Sequence, residues 1–301
     1  MPFVPPSPAT VDRWTILLAG LLLVVLGGAS VVGRRDAEWR RVQEAALAEA
    51  RAVLGPEATE ALPHGISQVW IPGLGRADRC TTCHVGVEGG AALAGLSPTA
   101  RSHPRPELLK SHPVETFGCT LCHGGQGLAL ATDTAHGVVA FWDEPLLGKT
   151  MAAGYGVSQA ALLEVNCHAC HRHHGPADAL PTIAKAKELL RRKDPVEKRT
   201  CFSCHVIDGQ GGSVGPDLAR IGDASPDHLV FPKDWTGQRT AFAWHVAHFL
   251  DPARMSPGTE MPSFGFTEDE ARSLAVWALS RRTLSLPPAW TPGSPGRAPR
   301  K

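Results

Sequence analysis

The chain has no charge excess of either sign. Its 30 lysines and arginines stand against 29 aspartates and glutamates over 301 residues, a net of +1. Such a balance sets up no global field for nucleic acid or for acidic substrates. There is no spare cysteine either, because all eight fall inside four copies of one five-residue segment. None remains for a structural disulfide or a catalytic thiol. Methionine is scarce, at four residues. Long unbroken regular elements are discouraged, since glycine (31) and proline (26) supply 57 of the 301 residues, well above a usual share of about 12%.

The repeated segment is Cys-x-x-Cys-His. It occurs as Cys80-Thr-Thr-Cys83-His84, Cys119-Thr-Leu-Cys122-His123, Cys167-His-Ala-Cys170-His171 and Cys201-Phe-Ser-Cys204-His205. Two thiols at this spacing reach the two vinyl groups of one porphyrin, and the next residue lies under the iron. Cys-x-x-Cys pairs also hold zinc or exchange disulfides, but neither role needs the adjacent histidine. Histidine is 14 of 301 residues, so four chance placements would arise on the order of five times in a million. The motifs therefore predict four covalently bound haem c groups. Their proximal iron ligands are His84, His123, His171 and His205. Much of the apolar interior would then come from porphyrin, and folding is expected to depend on haem.

Residues Trp14 to Val32 run nineteen positions without a charge. A span this long near an N-terminus reads as a transmembrane anchor or a cleaved signal segment, with Gly28-Ala29-Ser30 offering small residues for cleavage. Either reading exports the rest of the chain, to the side of the bacterial inner membrane where c-type haem is assembled. Arg34, Arg35, Arg40 and Arg41 follow the span and only Arg13 precedes it, so the positive-inside rule alone points the other way. Four haem motifs constrain the compartment more tightly than local arginines, and large domains translocate despite their charges. The expected location is the inner membrane, with the haem domains facing the periplasm.

The sequence predicts a mainly α chain with extensive loops. Residues 1–33 form a proline-rich tail and the membrane or signal segment, and 34–75 a helical connector with a helix from Ala37 to Leu54 ending at Gly55-Pro56. Residues 76–180 form a compact trihaem region and 181–286 a C-terminal helical domain, with a divide near Leu180-Pro181 and a helix from Ile183 to Arg192. The Pro-, Gly- and Arg-rich residues 287–301 read as disordered. The motifs start at 80, 119, 167 and 201, and such unequal intervals exclude a solenoid.

The C-terminal part carries the most specific pattern. After Cys201–His205 come Gly215-Pro216-Asp217-Leu218, then Met261-Pro262-Ser263-Phe264, then a helix from Thr267. Thr267 with Glu270 reads as a capping box, and Leu274, Trp277 and Ala278 line one face. Over roughly residues 195–285 this order resembles class I cytochrome c domains. The resemblance implies that His205 is the proximal ligand and Met261 the distal one. It also implies that Pro216 offers its carbonyl to the proximal imidazole. Met255 is a competing sulfur, without the following proline and aromatic. The segment Trp244-His-Val-Ala-His248 resembles haem c subunits of haem–copper oxidases, less specifically. His245 and His248 could ligate iron but read as surface or packing residues.

No Met-Pro loop serves the first three motifs, where Met151 is the lone methionine. Histidines are plentiful instead, and bis-histidine coordination is the economical reading. The preferred distal ligands are His103, His112 and His136. Two of these sit in matching Ser-His-Pro units, whose proline biases the histidine toward extended backbone. His173 and His174 are the runners-up, and His168, between two haem-bound cysteines, is not expected to bind its own haem. The segments Asp78–Gly86 and Ser111–Gly127 resemble multihaem c proteins of bacterial electron-transport chains, some of which accompany quinol-oxidising cytochrome b/Rieske-type complexes. That resemblance spans roughly residues 65–175.

The expected function is electron transfer in a respiratory chain, from a quinol-oxidising complex or other redox protein to a soluble cytochrome or terminal reductase. No catalytic residue is predicted, and the chain reads as an electron carrier or an electron-transfer subunit. The rival is a catalytic multihaem reductase or peroxidase with one open haem site. The absence of any Cys-x-x-Cys-Lys segment and the surplus of histidines both weigh against it.

Overall fold

The computed structural model describes residues 8–35, 37–137, 146–173, 180–283, 286–287 and 290. The expected tail at 1–7 and nearly all of the expected disordered segment 287–301 lie outside them, as does His174. Among the described residues the chain is mainly helical with long irregular connections. Its regular strand structure is one two-stranded ribbon, β1 (Val69–Ile71) with β2 (Arg76–Asp78).

Helix α1 (Pro8–Arg35) is long and apolar enough to cross a membrane by length and composition. Its leucines and valines are exposed along the whole span, Leu23 at 71% and Val24 at 72%. An apolar surface this size is covered by something other than this chain in any stable arrangement. Helix α2 (Glu38–Leu54) starts one residue after the expected point and stops at Gly55, which takes φ +82.

The described residues group into two compact units. The first draws on Met1–Val69, Asp78–Pro113 and Gly127–Ala135, and the second on Trp70–Ala77, Val114–Gln126 and His136–Lys301. In the first, Ala46 on α2 packs with Val85 and Ala100, edged by Leu47, Leu62 and Leu96. In the second, a larger core collects α3 (Gln159–Cys170), α4 (Pro181–Leu189), α5 (Ala241–Leu250) and α6 (Glu268–Ser280).

Helix α6 is the central element of the second unit and packs on the other three. The sequence signature for its start is present in full: the Thr267 hydroxyl accepts from Glu270 N, and the Glu270 carboxylate accepts from Thr267 N. Every residue from Ser273 to Ser280 is buried. Helix α4 begins two residues before the expected position. Pro181 fits the first turn, where no N–H is needed. The buried Glu164 carboxylate of α3 then accepts from Thr182 N (3.1 Å) and Ile183 N (2.8 Å). The expected divide at 180/181 thus falls inside one unit: motifs two, three and four share it, and motif one lies in the other.

Candidate haem sites

The fourth motif forms a short helix, Cys201–Cys204, started by a reciprocal cap between Thr200 and Ser203. The following loop is tied back to it through Gly212 N to Phe202 O (2.9 Å), Gly215 N to Cys204 O (2.8 Å) and Leu218 N to Val206 O (2.9 Å). Those three bonds bring Pro216 beneath His205. The His205 Nδ1–H donates to the Pro216 carbonyl at 2.8 Å. A carbonyl on Nδ1 selects the tautomer whose Nε2 lone pair can bind a metal, and it raises that nitrogen's basicity.

The loop lies so close that three of its residues, Gly211, Gly212 and Gly215, must be glycine. Gly211 takes φ +112, and a Cβ there would sit 2.2 Å from His205 O. A Cβ on Gly215 would fall 2.5 Å from His205 Cε1 and 2.7 Å from Nδ1. Gly215→Ala is therefore expected to rotate the imidazole and break its bond to Pro216. The expected cost is about 1–3 kcal/mol from the overpacking, readable as a lowered denaturation midpoint. An unchanged midpoint and an unchanged optical spectrum would show that the loop stands further from the ring.

Across from His205, α5 and the loop behind it converge. Thr240 caps α5 by accepting from Ala243 N (3.1 Å), and Asp251 caps the next short helix, Pro252–Met255. The chain then returns so that Met261 Sδ stands 3.2 Å from His248 Nε2. Trp244, one turn earlier, stacks on the His248 ring at 4.7 Å with an interplanar angle of 11°. Burial, and after it the nearby His205, hold the His248 imidazole well below its ordinary range, to about 4. Met255, the competing sulfur, is buried at the end of its short helix.

The first motif is held by a different set of residues to a similar end. Gln43 of α2 donates to Thr82 O (2.6 Å) and Gly65 O (2.8 Å) and accepts from Gly65 N. Thr82 Oγ1 donates to Ser67 O and accepts from Ser67 N. Within this clamp the His84 Nδ1–H donates to the Pro98 carbonyl at 3.0 Å. His103 is half-buried, and its N–H donates to Val87 O, three residues beyond His84 (2.9 Å). The His103 Nδ1 lies 3.1 Å from both the amide nitrogen and the carbonyl oxygen of Arg105. His112 closes the short helix Pro106–Ser111 and reaches Leu108 O through Nδ1 (3.1 Å). His136 is exposed at the end of the short helix Thr132–His136.

The second and third motifs adjoin. Asn166 of α3 donates to Cys122 O (2.9 Å), and Leu147 N donates to His123 O (2.7 Å). Burial first, and then the Cys122 thiol, push Cys167 up to about 12 and Cys170 up to about 11. Both thiols of motif three thus lie near a thiol of motif two, which places two attachment points side by side. His171 follows directly at the end of α3.

His168 is fully buried and ties this motif to α6, because its Nδ1 lies 2.7 Å from Ser280 Oγ. The single Ser280 hydroxyl proton goes to Trp277 O, so His168 is the donor and its Nε2 is unprotonated. Burial, then Lys187, Arg281 and Arg172, push His168 down to about 3. Its Nε2 is buried and has no hydrogen-bond partner among the described residues.

Comparison with known proteins bears on this C-terminal arrangement. The cytochrome c family model matches residues 193–281. These residues form a cytochrome c domain. Such a domain carries covalently bound haem c and transfers electrons. Residues of the chain are also 26% identical, over 110 positions, to a subunit of the nitric oxide reductase of Cereibacter sphaeroides (strain ATCC 17025 / ATH 2.4.3). The match covers 36% of this chain and 71% of that one. No solved structure matches.

The residues of the cytochrome c domain fit its cofactor. Glycine at 215 lets the loop backbone pass close against the His205 ring, and the Pro216 carbonyl sets the tautomer a metal needs. The sequence pattern alone did not show how deep His245 and His248 lie. Their three-residue spacing suggested surface or packing residues; His245 is 1% exposed and His248 touches Met261. The readable signal was the four-residue step from Trp244 to His248, which stacks two rings on one helix face.

Proposed function

We propose that this chain is a tetrahaem c-type cytochrome, tethered to the bacterial inner membrane by α1 with its haem domains facing the periplasm. It would carry electrons from a quinol-oxidising complex toward a soluble cytochrome or a terminal reductase. The observation that carries the reading is the matched treatment of two motif histidines in different units. His84 and His205 each bond through Nδ1 to a proline carbonyl, Pro98 at 3.0 Å and Pro216 at 2.8 Å. The arrangement readies each Nε2 to ligate a metal, which disulfide exchange at a Cys-x-x-Cys pair does not need.

Bound haem c would supply a one-electron ferric/ferrous couple. The chain's residues contribute attachment, axial ligands and burial. Cys80 and Cys83, Cys119 and Cys122, Cys167 and Cys170, and Cys201 and Cys204 are the attachment pairs, with the four following histidines as proximal ligands. Met261 serves the fourth centre, and His103, His112 and His136 are the candidates for the other three. His103 has the best support, since its backbone is bound to the loop after motif one. His136 has the least, because it is exposed. A thioether raises the potential of its iron relative to a second imidazole, so electrons run from the first three centres to the fourth.

Similarity to a nitric oxide reductase subunit supports a second reading. The chain would then be the electron-entry subunit of a larger oxidoreductase, working only inside that complex. One set of measurements on detergent-extracted protein separates these. Intact mass and haem stain should give four haems per chain. A redox titration should place the Met261-liganded centre highest, and carbon monoxide should leave the reduced spectrum unchanged. Fewer haems would overturn the tetrahaem reading, and a carbon monoxide shift of one haem equivalent would favour a catalytic reductase or peroxidase. Co-purification with a catalytic subunit in fixed ratio would establish the complex.

A further inference from the structure

Two donor atoms of different chemistry share the distal side of the cytochrome c domain. His248 Nε2 and Met261 Sδ stand 3.2 Å apart, less than the distance across one coordination sphere. We propose that His248 is a second distal donor for the iron of this domain, able to take the coordination position of Met261. The inference rests on the reading that haem c is attached through Cys201 and Cys204 with His205 beneath it.

The helix holds His248 ready for this role. Trp244 stacks flat on the imidazole, and the indole N–H donates to Val230 O at 2.9 Å, which fixes the ring plane. The other ring nitrogen, Nδ1, is buried with no hydrogen-bond partner among the described residues. His248 is therefore held by stacking and by the sulfur contact, not by commitment to a protein oxygen.

The same fact ranks the two imidazoles of the domain. An imidazole whose Nδ1–H meets a carbonyl is a stronger ligand than one whose Nδ1–H meets nothing. His205 has that support and His248 lacks it, so His248 is the weaker imidazole. Against it, Met261 comes from a loop tied locally by the Met261 N–H to Thr259 Oγ1 (3.2 Å). A soft thioether suits ferrous iron and an imidazole suits ferric iron better. Met261 then holds the reduced centre, and His248 competes best when the centre is oxidised. In the exchange one coordinate bond breaks and another forms, and the proton that Nε2 offers the thioether passes to the unpartnered Nδ1, with no net change of charge.

The test uses full-length holoprotein carrying Met261→Ala, His248→Ala and both changes. Met261→Ala should lose the far-red thioether-to-iron band yet stay low-spin in the ferric state, with a lowered midpoint potential at that centre. The double variant should turn one haem equivalent high-spin and open it to carbon monoxide. Added imidazole should restore its low-spin spectrum, which shows that the pocket is still folded. His248→Ala alone should keep the far-red band. High-spin iron in Met261→Ala to the same extent as in the double variant would overturn the proposal. Loss of haem from the peptide containing Cys201 in the parent protein would instead defeat the underlying reading, and the inference with it.

Discussion

Replacing Trp277 by alanine is expected to remove about 3–5 kcal/mol of folding stability, the usual cost of deleting a buried aromatic. Trp277 is 1% exposed at the centre of α6, in the core where α3, α4 and α5 meet. Its ring also supports charge. The Arg281 guanidinium lies 5.5 Å from the ring centroid and is itself 1% exposed, ion-paired with Asp208. Removing the ring leaves a cavity and withdraws packing from a buried ion pair, whose loosening adds to the loss. A domain of ordinary stability holds about 5–15 kcal/mol in total. The change should therefore lower Tm by on the order of 10 °C. Trp277→Phe keeps most of the packing and should cost clearly less. Thermal unfolding followed by circular dichroism reads both, and equal midpoints for alanine and wild type would contradict the packing described for α6.

The second large effect is acid sensitivity centred on His245. Burial, and after it the neighbouring His248, push its imidazole down from an ordinary 6.5 to about 4. Neither ring nitrogen has a hydrogen-bond partner among the described residues. In the window between those values the unfolded chain binds a proton that the folded chain refuses. Stability therefore rises with pH through that window. The contribution is complete above about 6.5 and is lost as pH falls toward about 4. The full difference is about 3 kcal/mol, at 1.36 kcal/mol per pKa unit. His245→Leu removes the titration. Denaturant unfolding at a series of pH values should show the variant losing about 3 kcal/mol less than wild type across the window. Parallel pH profiles would mean that His245 is reached by solvent.

Local features were legible in the sequence because they are decided within a few residues. The Thr267–Glu270 cap, the end of α2 at Gly55 and the turn that carries Pro216 each depend on neighbours less than a dozen positions apart. The start of α4 was misplaced by two residues because its cap comes from Glu164, on another helix. The division near 180/181 rested on the unequal spacing of the motifs. Motifs two and three fall in the same compact unit as the C-terminal residues, where His168 reaches Ser280 across 112 positions. His245 and His248 were read as surface or packing residues. Helical spacing tells which residues share a face, not what that face meets.

By itself the sequence marked the four segments where haem attachment is proposed. Two thiols and the following imidazole lie within five consecutive residues, and backbone geometry alone aims them at one porphyrin. It also determined the apolar length of α1 and the loop order of the cytochrome c domain. Only the tertiary structure decided which side chains stand near each motif. A distal donor comes from tens of residues away, and its position depends on how the chain closes. That closure set Met261 beside His248, bonded His103 to the loop after motif one, and left His136 exposed.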